Sequence, residues 1–239
     1  LDGGAGSDTV DYSASATGVT LDLATGTATG GDAQGDTLIS IENAIGTAFA
    51  DVIQAAVAGS TMLGGGGDDR LVAGEGADVL DGGTGTDIAD YSGSTARVTV
   101  NLASGVNSGG YAQGDVLRSI EQVVGSDFND TLTGDASANI LTAGAGDDML
   151  EGGAGADRLD GGAGIDTASY AGATGAVTVS LATGTGTAGD AAGDMLVDIE
   201  NLTGSAFADR LTGDAGVNVL TGGAGDDVLA GLGGADALD

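Results

Sequence analysis

The sequence predicts an all-β fold, a parallel solenoid coiled from short glycine-rich repeats, and three observations support it. Of the 239 residues, 49 are glycine, and there is no proline, cysteine, histidine or tryptophan, which is not the composition of an ordinary globular core. The sequence matches itself, without insertion or deletion, when Leu1 is aligned with Leu80 and with Leu159. Inside each copy of this long repeat runs a shorter period of nine that carries one apolar residue per period.

Three copies account for nearly the whole chain. They cover 1–79, 80–158 and 159–237, and residues 238–239 open a fourth. We therefore expect residues 1–239 to form one continuous solenoid that is a piece of a longer array.

The nine-residue unit follows the rule Gly-Gly-x-Gly-x-Asp-x-apolar-x, as in GGGGDDRLV, GGAGADRLD and GGAGDDVLA. Its glycines permit a tight turn through positive φ, and its last three residues predict a short strand with the apolar side chain inward. Two units close a coil of eighteen residues, so every second turn stacks along one edge at a spacing of about 4.8 Å. We expect the inward leucines, such as Leu132, Leu141, Leu150 and Leu159, to form one file.

Each copy also contains an insert between its nonapeptide blocks, for example 91–124. The insert begins with an alternating stretch, Val98-Thr99-Val100-Asn101-Leu102 in the second copy, which is typical of a half-buried strand. A disguised nonapeptide follows and ends in an Ile-Glu link. We predict that the insert belongs to the solenoid.

Any metal bound by this chain must be held by oxygen, because there is no histidine or cysteine. Stacked turns offer backbone carbonyls and one carboxylate each at the sixth position, an oxygen cage that suits Ca²⁺ at 2.3–2.6 Å and fits Mg²⁺ poorly. The same position is held by Asp8 in the first turn, and by Asp36, Asp115 and Asp194 in the inserts, where metal binding and plain turn capping are equally supported.

The predicted calcium sites are pairs of these side chains on stacked turns. The favoured pairs are Asp69 with Asp87, Asp130 with Asp148, Asp148 with Asp166 and Asp209 with Asp227, followed by Asp51 with Asp69. Weaker pairs are Asn139 with Asp157 and Asn218 with Asp236, and Ser60 with Asp78 is expected to be empty. Seven bound ions would change the formal net charge from -31 to about -17. At these paired positions capping without metal is disfavoured, because stacked acids without counter-ions repel one another.

Several recurring side chains have a structural and a functional interpretation. We interpret Tyr12, Tyr91 and Tyr170 as the edge of a core rather than as sugar platforms, and Glu42, Glu121 and Glu200 as a solvated face rather than a glycosidase pair. Phe49, Phe128 and Phe207 are predicted in the core or as lids, and Met62, Met149 and Met195 as packing. The five arginines are expected to pair with carboxylates. A threonine ice-binding face is disfavoured by interrupting charges.

The nonapeptides resemble those of the repeats-in-toxin (RTX) family, the hemolysin-type calcium-binding repeats of Gram-negative secreted proteins, and the Asp-Tyr-Ser, Val-Thr and Ile-Glu-Asn pattern of the insert is similar to that of other RTX regions. The resemblance implies a right-handed parallel β-roll with Ca²⁺ between turns, type I secretion, and folding only in extracellular calcium. The regular inserts and the degenerate turns at 55–63, 134–142 and 213–221 depart from the simplest RTX pattern and bring full occupancy into question.

We therefore expect a non-catalytic calcium-binding structural module of a secreted or cell-surface protein, in an adhesin, surface-layer or matrix array. One alternative is the RTX tail of a secreted protease, lipase or epimerase, and another is a carbohydrate-binding repeat. Besides Ca²⁺, the expected partners are further copies of the array or cell-surface glycans. The net charge of -31 argues against binding to nucleic acid or anionic membrane, and no apolar run is long enough to insert into a bilayer.

Overall fold

The computed structural model describes residues 1–239 as two compact units, Leu1–Val124 and Gly125–Asp239. Both consist of short strands, with three single-turn 3-10 helices and no α-helix. The strands of the first unit are β1 (Thr9–Asp11), β2 (Thr20–Asp22), β3 (Thr27–Thr29), β4 (Asn43–Ile45), β5 (Val52–Gln54), β6 (Thr61–Gly66), β7 (Arg70–Val72), β8 (Val79–Thr84), β9 (Ile88–Asp90), β10 (Thr99–Asn101), β11 (Val116–Arg118) and β12 (Gln122–Val124). Its 3-10 helices are Gly31–Ala33 and Gly110–Ala112.

The second unit has the same construction. Its strands are β13 (Thr131–Thr133), β14 (Ile140–Ala145), β15 (Met149–Glu151), β16 (Arg158–Ala163), β17 (Thr167–Ser169), β18 (Thr178–Ser180), β19 (Thr185–Ala188), β20 (Met195–Val197), β21 (Asn201–Thr203), β22 (Arg210–Thr212), β23 (Val219–Thr221), β24 (Val228–Ala230) and β25 (Ala237–Leu238). Its 3-10 helix is Gly189–Ala191.

Each unit contains two stacks of mainly parallel strands. In the first unit β1, β4, β6, β8 and β11 form one stack and β2, β5, β7, β9 and β12 form the other. In the second unit one stack is β13, β15, β17, β21, β23 and β25, and the other contains β14, β16, β20, β22 and β24. The register advances by eighteen residues per coil, as Arg70 opposite Ile88 shows. The predicted all-β parallel roll is confirmed.

The core is two files of leucines, not one. Leu132 lies beside Leu150 in the first stack of the second unit, whereas Leu141 lies beside Leu159 in the other stack. All four side chains are fully buried, and each contributes about 2 kcal/mol of hydrophobic stabilisation. The single file that we expected is wrong, because successive nonapeptides alternate between the two stacks.

The insert is part of the solenoid, as predicted, but it adds antiparallel strands. In the third copy β18 pairs antiparallel with β19, and β19 pairs antiparallel with β20. β20 then continues the parallel stack on β16, and β18 is followed by β22. The first copy has the same hairpin in β2 and β3. In the third copy one antiparallel strand, β19, thus lies between β18 and β20, and both of these stay paired with regular strands of the stack.

Strands at equivalent positions of successive copies lie in different stacks. β13 and β22 occupy the same position in the second and the third copy, yet they belong to different stacks of the second unit. β1 and β9 differ in the same way in the first unit. Each copy therefore contains an odd number of half-coils, a half-coil being the stretch of chain that crosses from one stack to the other. Equivalent strands for this reason change stack from one copy to the next.

The structure decides one packing alternative and contradicts part of another prediction. Phe49, Phe128 and Phe207 are 44% to 47% exposed, so of the two alternatives, core or lids, the core is wrong. Met149 and Met195 also face outward, and only Met62 is buried among the three methionines. The two exposed methionines directly precede an inward leucine and so point to the opposite side of the strand.

We predict that Gly162→Ala destabilises the folded chain far more than Gly35→Ala. Both glycines have φ near +90°, at 90 and 89, so each alanine costs about 1–2 kcal/mol for the left-handed backbone. A Cβ at Gly162 would also overlap the carbonyl oxygen of Gly144 in the neighbouring strand, whereas a Cβ at Gly35 meets nothing. Thermal unfolding in saturating Ca²⁺ measures the difference. Equal losses of stability would show that close strand approach is not the constraint.

Candidate metal sites

The sixth-position side chains form buried rows along the turns. The backbone N–H of Asp51 donates to Oδ1 of Asp69 at 2.8 Å, and that of Asp69 donates to Oδ1 of Asp87 at 2.8 Å. The same contact joins Ser60 to Asp78, Asp130 to Asp148, Asn139 to Asp157, Asp148 to Asp166, Asp209 to Asp227 and Asn218 to Asp236. Each predicted pair is therefore brought together by the fold.

The second carboxylate oxygen separates most of the row aspartates into two groups. In the first group it accepts a backbone N–H from the side chain's own turn, as Asp51 does from Thr47 and Asp209 from Ser205. Asp78 and Asp130 have an equivalent contact to their own turns, and the single amide oxygen of Asn139 and of Asn218 also accepts an N–H from its own turn. In this group the side chain caps its turn in the manner of an Asx turn.

In the second group Oδ2 is buried and has no hydrogen-bond partner. The members are Asp8, Asp69, Asp87, Asp148, Asp157 and Asp166. A buried carboxylate oxygen without a partner is costly, because it has lost its water and gained nothing in exchange. These open oxygens are the strongest structural sign of a cation site.

The neighbourhood of an open oxygen suits calcium. A Cβ at Gly64 would collide with Oδ2 of Asp69 and with the carbonyl oxygen of Gly82 in the next turn, so the two oxygens line one small space. No three acidic side chains surround a common point, so a cation here would be bound by two carboxylates and backbone carbonyls. A mixed carboxylate and carbonyl set with flexible geometry is what Ca²⁺ accepts.

Burial also perturbs the acidity of these rows. Desolvation raises the pKa of Asp69 to about 7 and that of Asp148 to about 6, with the negative charges of neighbouring aspartates adding to the effect. The N–H of the preceding residue in the row acts in the opposite direction, because it favours the carboxylate. A divalent cation would remove the penalty and hold these groups ionised.

The insert aspartates hold the tyrosines. The hydroxyl of Tyr91 donates to Oδ2 of Asp115 at 3.0 Å, and Oδ1 of Asp115 accepts the N–H of Asp78 at 2.8 Å. Tyr12 with Asp36 and Tyr170 with Asp194 repeat the contact between hydroxyl and carboxylate. All three tyrosines are buried, which confirms the core interpretation and removes them as sugar-stacking platforms.

We predict that Tyr91→Phe destabilises the folded chain by about 1–3 kcal/mol, because Oδ2 of buried Asp115 loses its donor. Tyr111→Phe is the matched control, since the structure shows no hydrogen bond from that hydroxyl. Denaturant unfolding in saturating Ca²⁺ measures both variants. A Tyr91→Phe variant as stable as the control would mean that the hydrogen bond carries no net stability.

Three glutamates were missed as members of the rows. Oε2 of Glu121 accepts the N–H of Asp87 at 2.9 Å, and Oε2 of Glu200 accepts that of Asp166 at 2.8 Å. Glu42 makes the same contact with Asp8. All three glutamates are half-buried, so the solvated face that we expected describes them only in part. The signal in the sequence is a glutamate that follows a sixth-position aspartate at the same separation in every copy.

Charges outside the rows meet the expectation only in part. Asp147, at the fifth position of its nonapeptide, is exposed, and its Oδ1 accepts the N–H of Ile165. Two of the five arginines form the expected ion pairs, Arg70 with Asp90 and Arg158 with Asp160, and the other three form none. Most of the negative charge therefore has no cationic side chain to balance it.

A roll of parallel strands whose glycine-rich turns carry rows of carboxylates defines a repeat protein that binds cations between its coils. Four segments, 61–91, 119–150, 133–168 and 203–238, match the RTX calcium-binding nonapeptide repeat. The chain belongs to this family and is a calcium-binding repeat module. A comparison with curated proteins found no match. None of the chain's helical segments has the length or apolar character needed to span a membrane.

Proposed function

We propose that this chain is a non-catalytic structural module of a secreted or cell-surface RTX protein, which stays unfolded in the calcium-poor cytosol and folds on reaching extracellular calcium. The observation that carries the proposal is the set of buried Oδ2 atoms without partners, such as those of Asp69 and Asp148. Without a cation the fold must bury these charges uncompensated, so metal binding and folding become one event.

The charge balance supports the same proposal. The formal net charge is -31, and repulsion on this scale opposes any compact state until counter-ions bind. An unfolded acidic chain is also a suitable passenger for a narrow export channel. Type I secretion from a Gram-negative cell is the route that we propose on the strength of the family.

An extended array is the setting that the sequence favours. The copies follow one another without a change in length, which lets further copies stack without disturbing the register of the coils. We propose an adhesin, surface-layer or matrix protein as the parent, with other copies of the array or cell-surface glycans as partners. The absence of histidine, cysteine and lysine supports a non-catalytic role, because it removes the commonest nucleophiles and bases.

The calcium concentration at which the chain folds tests this proposal. We expect the chain to be digested rapidly by a broad-specificity protease at submicromolar Ca²⁺ and to become resistant at about 1 mM, the range of extracellular modules. A control substrate whose structure does not depend on calcium is digested in parallel, so that any change in the activity of the protease itself is detected. Resistance already complete at submicromolar Ca²⁺ would contradict folding outside the cell.

A further inference from the structure

The last nonapeptide before the second insert carries an aspartate with an open carboxylate oxygen. Asp87 is fully buried, its Oδ1 accepts the N–H of Asp69, and its Oδ2 has no partner. On the next coil the facing residue is Glu121, whose Oε2 accepts the N–H of Asp87. The regular row therefore does not stop where the nonapeptides stop.

The backbone around Asp87 repeats the geometry of a regular site. A Cβ at Gly82 would collide with Oδ2 of Asp87 and with the carbonyl oxygen of Ser119. One coil earlier a Cβ at Gly64 would collide with Oδ2 of Asp69 and the carbonyl oxygen of Gly82. The carbonyl of Ser119 thus stands in the insert where a glycine carbonyl stands in the regular turn.

The second unit contains the same arrangement. Asp166 is fully buried, its Oδ2 has no partner, and its N–H donates to Oε2 of Glu200. A Cβ at Gly161 would collide with Oδ2 of Asp166 and the carbonyl oxygen of Asp198. Two separate copies therefore place an open carboxylate oxygen beside a backbone carbonyl, and in both a glutamate accepts the N–H of the same aspartate.

The link that follows the insert is shorter than a regular turn, and it differs from one in both its backbone conformation and its acidic side chain. In a regular turn the carboxylate comes five residues after the carbonyl, as Asp87 does after Gly82, whereas Glu121 comes only two residues after Ser119. Ser119 and Asp198 lie in the left-handed region at φ 49 and 47. This conformation is unfavourable for residues other than glycine, and it bends the link sharply. The extra methylene of glutamate then extends the carboxylate from the shortened turn.

We propose that the links after the second and the third insert each complete a calcium site of their own, formed by Asp87, the carbonyl of Ser119 and Glu121 in the first unit. Asp166, the carbonyl of Asp198 and Glu200 form the equivalent site in the second unit. The inference rests on the proposed calcium dependence and extends it, because it carries the row of ions past the hairpin. The inserted strands then fold together with the regular coils.

The test is the number of calcium ions bound by a variant that keeps the hydrogen bonds. Glu121→Gln with Glu200→Gln retains an acceptor for the N–H of Asp87 and of Asp166 but removes one charge from each site. Glu75→Gln with Asp127→Asn is the matched control, because both side chains are exposed. Equilibrium dialysis at about 1 mM Ca²⁺ is expected to show two fewer ions per chain for the glutamate variant and no loss for the control.

The outcomes separate this inference from the proposed function. Equal stoichiometry for the wild type and the glutamate variant would overturn the insert sites while leaving calcium-dependent folding intact. A wild-type chain that binds no calcium would overturn both. A variant that fails to fold is covered by wild-type crystals grown with Tb³⁺, in which we expect an anomalous peak between Oδ2 of Asp87 and the Glu121 carboxylate. Peaks only between the regular turns would overturn the inference.

Discussion

Asp148→Asn is expected to raise the Ca²⁺ concentration needed for folding by about tenfold or more, because calcium affinity depends on the number of charged ligands. Oδ1 of Asp148 accepts the N–H of Asp130, and an asparagine oxygen keeps that bond. Oδ2 is the buried oxygen without a partner, and the substitution replaces it with an amide. The metal-free chain should lose nothing, since a costly buried charge has gone. The midpoint of a Ca²⁺ titration followed by circular dichroism measures the effect.

Asp147→Asn is the control for this prediction. It removes the same charge from the adjacent residue, which is exposed, and its midpoint should stay within about twofold of the wild type, because exposed charges interact weakly. An Asp148→Asn midpoint equal to that of Asp147→Asn would mean that the row aspartates only cap their turns.

The second large effect is an opposite response to acid with and without calcium. Desolvation raises the pKa of Asp69 and of Asp115 to about 7, and those of Asp148 and Asp157 to about 6. The ordinary value for aspartate is about 3.9. Between pH 4 and 7 the folded metal-free chain therefore binds more protons than the unfolded chain, so its stability increases as the pH falls.

In buffer stripped of calcium by a chelating resin we expect β structure to increase on acidification from pH 8 to about 4.5, because the buried carboxylates are protonated over the range of their raised pKa values. EGTA is avoided here, because it is itself protonated in acid and then releases calcium. In saturating Ca²⁺ the sign reverses, because protons compete with calcium for the same oxygens. Far-ultraviolet circular dichroism over this pH range, with and without Ca²⁺, measures both responses. A spectrum that stays coil on acidification without calcium would contradict the burial of these carboxylates.

The sequence predicted the coil correctly because glycine spacing and apolar period are local properties. Nine residues place one leucine inward and one aspartate in the turn, and two such units return the chain to the same edge. The two leucine files follow from that alternation. Equivalent strands change stack from one copy to the next because each copy has an odd number of half-coils. That number can be counted only once the path of the insert is known.

The insert shows where prediction from sequence reaches its limit. Its first strand was recognised from alternation, but the antiparallel partner β19 reads TGTA and has no apolar pattern. The state of each carboxylate oxygen was also not predictable. Asp51 and Asp69 occupy the same position of the repeat, yet one is capped by Thr47 and the other is open. The turn of Asp51 has this threonine in place of the second glycine, and the threonine hydroxyl also donates to the carboxylate.

The glutamates were misjudged because their spacing breaks the nine-residue rule. Glu121 follows Ser119, which supplies the carbonyl, by two residues instead of five, and Ser119 adopts the left-handed conformation. The propensity of serine does not favour that conformation. The recurrence of Ile-Glu in all three copies indicated a shared role without revealing what the role was.

The central claim is that the chain folds when calcium fills its turns, and one titration tests it directly. Far-ultraviolet circular dichroism is recorded in EGTA and then with Ca²⁺ increased from micromolar to about 10 mM, with Mg²⁺ as the control. The account predicts a coil spectrum in EGTA, a cooperative transition to β structure with Ca²⁺, and no transition with Mg²⁺ over the same range. A β spectrum in EGTA at neutral pH that calcium leaves unchanged would contradict it.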